Sequence, residues 1–313
     1  MTQISIAFIG AGYMASEHAK AFSSLPGVKL AGVFSRGKER AQTLAATYHM
    51  PHVCSSIDEL YEKTRADLLI LCVPELAAKD ICAIAFKFPW KILAEKPLGH
   101  NLAEAKEIQQ MAHKADKQIF LAFNRRHYTS TRNLLNEMKD VAGPRLIQVF
   151  DQEDQISARK AGQPEAVVQN WMYANSIHMI DFFRTLGRGE ITQVEPVVKW
   201  NPQNPSFVVS RITYASGDIG IYQAVWNAPG PWAVTVTTPS KRWEMRPVEQ
   251  LSVQIYGSRK AEPIEGSSRD VDFKPGLLLQ AQETVKALQG QPHSLPTLED
   301  SMKTMELVNK LYS

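Results

Sequence analysis

The chain lacks most of what would mark a secreted, membrane-bound or nucleic-acid-binding protein. Only three of its 313 residues are cysteines, Cys54, Cys72 and Cys82. The odd count and uneven spacing fit neither a disulfide framework nor a zinc site. Cys72 lies in an apolar run and reads as a small core residue. No uninterrupted apolar stretch reaches the roughly 18 residues of a membrane-spanning helix. The first residues hold no basic segment followed by a long apolar one, so no secretory signal is expected and a cytoplasmic location is. Charge of one sign is scarce too: the net charge is +3. Arg125-Arg126 is too short a cluster to imply a nucleic-acid partner. His49, His52, His100 and His113 show no metal-like spacing, so no catalytic metal is expected. No internal repeat or low-complexity tract stands out.

What is present is ordinary globular material, 44% apolar and 21% charged, long enough for about two domains. The most informative stretch is Ile4–Ala15, an apolar strand pattern ending in Gly10-Ala11-Gly12. Gly10 lets the strand turn sharply, Gly12 lets backbone approach a pyrophosphate, and Ala15 lets the next helix pack close. Free N–H groups at that helix start favour phosphate. Gly10, Gly12, Tyr13 and Met14 are therefore candidate cofactor contacts.

Strand patterns at Ile4–Ile9, Lys29–Phe34, Leu68–Val73, Lys91–Ala94 and Ile119–Ala122 alternate with helical ones. That order predicts a doubly wound parallel sheet, the Rossmann arrangement, over residues 1–124. Ligands gather at the carboxyl ends of such strands, which adds Cys72, Pro74, Glu95, Lys96 and Asn124 to the cofactor candidates. Over residues 125–313 the texture changes. A helix is expected at about Ala174–Leu186, then strand-like runs from Ile191 to Tyr256 broken by turn residues. They predict an α+β domain built on an open antiparallel meander, with C-terminal helices free to pack back on the first domain.

The second strand ends at Val33-Phe34-Ser35-Arg36, with no acid at the tip to accept from a ribose 2′-hydroxyl. Ser35 can bond a phosphate and Arg36 can grip one with a charged fork. The expected cofactor is NADP, with NAD as the alternative.

Glu95-Lys96-Pro97 sits at a strand tip. Together with the Gly10–Ala15 fingerprint, Phe123-Asn124-Arg125-Arg126 and Ile177-His178-Met179-Ile180-Asp181, it resembles the Gfo/Idh/MocA oxidoreductase family in order and spacing along nearly the whole chain. The resemblance implies a nicotinamide-dependent enzyme acting on sugars or sugar-like polyols. It implies that Lys96 is catalytic at the reacting oxygen, that His178 lies opposite and orients or deprotonates the same group, and that Glu95 touches the nicotinamide side. It places the substrate between the first domain and the antiparallel sheet. Hydride loss from a C–H leaves a carbonyl only if the hydroxyl proton also departs, which asks for a base within hydrogen-bond reach. Family members often carry Asp four residues before that histidine; here the position is Ala174, followed by Asn175 and Ser176. The relay is then shortened to Lys96 and His178 or completed otherwise, for instance by Tyr173.

Arg126, Tyr128, Trp171 and Asn175 are candidate substrate contacts. Trp226 and Trp232 can stack on sugar rings or pack in the core. Asp181 reads as structural. Apolar residues on both parities of Ile219–Val225 suggest a homodimer or homotetramer through the sheet. The rival readings are a cofactor-bound regulator or scaffold without turnover, and a lyase that removes and returns hydride.

Overall fold

The computed structural model describes residues 3–313. The chain forms two compact units: one runs to Asn124 and takes in Arg269–Met302, the other holds Arg125–Ser268 and Lys303–Ser313.

The first unit alternates β1 (Ile4–Ile9), α1 (Tyr13–Ser23), β2 (Val28–Phe34), α2 (Lys38–Thr47), β3 (His52–Cys54), α3 (Ile57–Thr64), β4 (Leu68–Leu71), α4 (Ala78–Ala85), β5 (Lys91–Ala94), α5 (Leu102–Lys114) and β6 (Ile119–Leu121). Its strands run parallel in the order β3-β2-β1-β4-β5-β6. The four residues of β4 are all buried, as expected of a strand covered on both faces. Order reverses beside β1, which puts the carboxyl ends of β1 and β4 at the switch point where a crevice forms. α1 buries Ala15, Ala19 and Ala21, small residues that let it lie close to the sheet.

The second unit adds α6 (Thr129–Glu137), β7 (Leu146–Glu153), α7 (Gln155–Lys160), α8 (Glu165–Gln169) and α9 (Ile177–Leu186). It continues through β8 (Ile191–Val198), β9 (Phe207–Tyr214), β10 (Ile219–Trp226), β11 (Ala233–Thr237), β12 (Lys241–Met245), β13 (Leu251–Ile255) and β14 (Glu262–Ile264). After β14 the chain forms α10 (Arg269–Asp272) and α11 (Leu277–Leu288), which belong to the first unit, and α12 (Leu298–Leu311), which begins in the first unit and ends in the second. α11 lies beside α1, and its Leu277, Ala281 and Ala287 belong to the core cluster of the first unit.

The eight strands are ordered β14-β13-β12-β11-β7-β10-β9-β8. This departs from a simple meander. β7 lies in the middle, antiparallel to β11 but parallel to β10. Three helices and the β8–β9 hairpin intervene between β7 and β10 in sequence, and a connection of that length can cross over to give a parallel pair. Alternation is strict in β7, β9 and β10, with one face buried and the other partly open. α9 packs on β7.

The helix expected from Ala174 also differs. Met172–Ser176 is a π-helical turn, and the α-helix begins only at Ile177. Such wide turns are rare and concentrate at functional positions.

Candidate active-site residues

Gly10 follows β1 with φ +104°, and a Cβ there would stand 1.9 Å from the Cys72 carbonyl oxygen. Only glycine fits. Gly12 caps α1 with no side-chain bond to the helix start, and a Cβ on it would meet nothing within 4 Å. The first turn of α1 therefore presents free N–H groups to open space, which fits a dinucleotide pyrophosphate. Tyr13 is exposed, with the Lys274 Nζ 5.3 Å from its ring centre, while Met14 packs against the core. Beyond β2, Ser35 is half-buried and Arg36 exposed; the nearest acid along the chain, Glu39, is already in the first turn of α2. When bound, a nicotinamide dinucleotide would supply the hydride chemistry.

At the ends of β4 and β5, His18 Nε2 is 2.7 Å from Glu95 Oε1. His18, Cys72 and Glu95 bring their ligand atoms within 4.8 Å of one another. Burial, and then the Glu95 charge, push the Cys72 thiol well up, so it stays protonated. Pro74 begins the turn after β4. Lys96 is half-buried and joined to Pro97 by a cis peptide. The loop behind it is fixed locally: Asn101 Oδ1 accepts from Glu104 N at 2.9 Å, and Glu104 Oε2 accepts from His100 N at 2.8 Å. The first bond caps α5, and the second fastens the residue before the cap to its first turn. The buried Asn124 donates to the Pro275 carbonyl at 3.1 Å, tying the end of β6 to the segment before α11.

In the second unit, His178 and Asn175 stay partly accessible while Ser176 and Ile177 between them are buried. Asp181 is buried. It accepts from Arg126 Nε and Nη2 at 2.6 Å each and from Thr304 Oγ1 at 2.8 Å. The Arg126 fork is thus engaged by Asp181, as the structural reading of that acid expects. Tyr128 is buried at the cap of α6, and Trp171 is half-buried beside the π-helical turn. Tyr173 donates to Asn309 Oδ1 at 3.2 Å, and burial pushes its phenol up to about 12. It keeps its proton at neutral pH, which makes it a poor substitute for the acid absent at position 174. Trp226 is buried against Trp200 and Tyr312. Trp232 donates to the Gln152 carbonyl at 2.8 Å with Arg125 over its ring.

Two residues escaped the sequence reading. The core-facing stripe of β7 runs Ile147, Val149, Asp151, Glu153, all buried. Period-2 alternation alone places these acids inward. Extending the strand pattern from Asp151 to Glu153 would have flagged both.

Comparison with known proteins bears on the fold and the family. Residues 4–123 match the family model GFO_IDH_MocA, described as an oxidoreductase family with an NAD-binding Rossmann fold. A 4-carboxy-2-hydroxymuconate-6-semialdehyde dehydrogenase of Sphingobium sp. is 23% identical, with 91% of this chain and 90% of that protein covered. The glucose-6-phosphate 3-dehydrogenase of Bacillus subtilis is 29% identical over 42% of this chain and 37% of its own length. Among solved structures, a putative NADPH-dependent oxidoreductase from Desulfitobacterium hafniense superposes with a TM-score of 0.82 at 15% identity, covering 99% of this chain and 95% of that one. At that identity the likeness speaks for the fold.

Proposed function

We propose that this chain, whose residues 4–123 match the Gfo/Idh/MocA oxidoreductase family model, is an NADP(H)-dependent dehydrogenase or reductase acting on a hydroxyl or carbonyl group of a sugar or sugar-like polyol. The observation that carries the reading is the carboxyl edge of the parallel sheet. There the glycine turn with its open helix start and the Glu95-Lys96-Pro97 tip belong to one sheet. Lys96 takes or returns the proton of the reacting oxygen, and His178 is the second group in that proton traffic. A lysine desolvated beside an oxidised, positively charged nicotinamide loses its proton more readily than one in water. Ser35 and Arg36 hold the 2′-phosphate; the lack of an acid at the β2 tip supports NADP over NAD. Asn175 offers hydrogen bonds to a substrate hydroxyl, and Trp171, Arg126 and Tyr128 flank it in the sequence-based assignment.

The half-open face of the sheet carries Phe150, Val209, Ile219, Ile221 and Val225. A second copy of the chain covering that face would remove apolar surface from water, and a homodimer through it is part of the proposal.

The test is direct. NADPH or NADP+ is bound to the full chain, and a panel of sugars, polyols and their keto forms is added while nicotinamide absorbance is followed. Turnover with any of them supports the assignment. Tight cofactor binding with no absorbance change across the panel would favour the non-catalytic reading, for which Ala174 in place of the usual acid is the supporting observation.

A further inference from the structure

We propose that Asp151 and Glu153 hold a single proton between them, and that this buried pair positions Asn175 beside His178, standing in for the acid absent at position 174. The use of His178 rests on the function proposed above; the shared proton does not.

Both carboxylates are 1% exposed and lie on the same face of β7. Each has one oxygen with a donor. Asp151 Oδ2 accepts from Tyr222 Oη at 2.7 Å, and Glu153 Oε2 accepts from Asn175 Nδ2 at 2.9 Å. The other oxygen of each, Asp151 Oδ1 and Glu153 Oε1, is buried with no hydrogen-bond partner within 3.5 Å among the described residues; the two acids face each other, and the one Ser176 hydroxyl that lies near both has a single proton to give. An orphaned buried carboxylate oxygen is costly. One proton between these two satisfies both. Two ionised carboxylates at close quarters in an apolar interior do not coexist; such pairs titrate as a unit and keep one proton.

The surrounding charges agree. Arg125 is the cation acting on Asp151; it is buried, donates to Met179 Sδ at 2.7 Å and lies over Trp232. One cation balances one carboxylate, not two. The other titratable groups facing the pair are Tyr222 from β10 and Tyr312 from the end of α12, whose hydroxyls are 2.7 Å apart. Burial pushes both phenols well above their ordinary value, so neither can be the anion. Ser176 completes the ring, 3.4 Å from Tyr312 Oη. Burial, followed for Glu153 by the Asp151 charge, also holds the two acids up.

The consequence falls on Asn175. Its amide nitrogen is occupied by Glu153, which leaves Oδ1 as the acceptor. A substrate hydroxyl that donates is thereby favoured over a carbonyl that only accepts. The π-helical turn at Met172–Ser176 is what brings Asn175 to β7.

The sign of the pH effect follows. An acid held protonated in the folded chain contributes stability below the ordinary carboxylate range and loses it as pH rises through its folded pKa. The experiment uses the full chain without cofactor or substrate. Infrared spectra between about pH 6 and 8 should show a protonated carboxyl band that shifts in heavy water. Both Glu153→Gln and Asp151→Asn should abolish it, since the proton belongs to both. Each should also flatten the fall of urea stability with rising pH, while Asn175→Asp, which sets a third carboxylate against Glu153, should steepen it. Far-UV circular dichroism and NADPH binding check that each variant folds; if one variant fails to fold, the other reads the proton alone. Absence of the band in the wild type, or its survival in either single variant, overturns the shared proton. An unchanged pH slope in Asn175→Asp overturns the role given to Asn175. Failure of every sugar to turn over would bear on the catalytic reading and leave these readouts intact.

Discussion

His18 on α1 and Glu95 at the tip of β5 meet at 2.7 Å, side chain to side chain, with His18 almost fully buried. The bond links the helix that begins at the glycine turn to the residue that precedes Lys96. Replacing His18 with Phe keeps a ring in the space and removes the partner. Glu95 is then left with an unsatisfied, mostly buried oxygen, a loss of about 1–3 kcal/mol. Urea denaturation of His18→Phe should show that loss, with nicotinamide binding weakened as well.

Lys96→Met should lower turnover by about a hundredfold or more, the usual contribution of a positioned acid–base group. Cofactor affinity should stay nearly intact, because the glycine turn and α1, which hold most of the dinucleotide, are untouched. Fluorescence titration with NADPH and steady-state rates on the best substrate of the panel separate the two effects. Retained turnover would remove Lys96 from the chemistry.

Arg36→Ala tests the cofactor assignment. A charged hydrogen bond to the 2′-phosphate contributes about 1.5–3 kcal/mol, so NADPH affinity should fall tenfold or more while NADH affinity stays constant. Equal affinities before and after the substitution would return Arg36 to an ordinary surface position.

Ile221 lies on the partly open face of β10. Ile221→Asp places a charge where a second copy is proposed to pack, and burying an unpaired charge is strongly unfavourable. Light scattering after size exclusion should read a dimer for the wild type and a monomer for the variant, with little change in far-UV circular dichroism.

Much of this was legible in the sequence because the signals were local. The glycine spacing and the continuous apolar run of β4 report their own surroundings. So does the succession of strand-like runs and turn residues from Ile191 to Tyr256. Other features were set by partners far away in the chain. β7 runs parallel to β10, a pairing that no turn signal in either strand encodes. β3 and β14 have three residues each, too few to show a period. The π-helical turn keeps a helical apolar pattern, so periodicity alone placed the start of α9 at Ala174 rather than Ile177. Asp151 and Glu153 were hidden differently: acids usually face water, and only their register on the inner face of β7 marks them as unusual.

The first unit is interrupted in sequence, since α11 closes over α1 from the far end of the chain. A nucleotide-binding fragment cut after Asn124 would expose the apolar flank of α1 and lose the Pro275 anchor of Asn124. Anyone wishing to excise that module for biosensing or for grafting onto another scaffold would have to splice Arg269–Met302 back onto it.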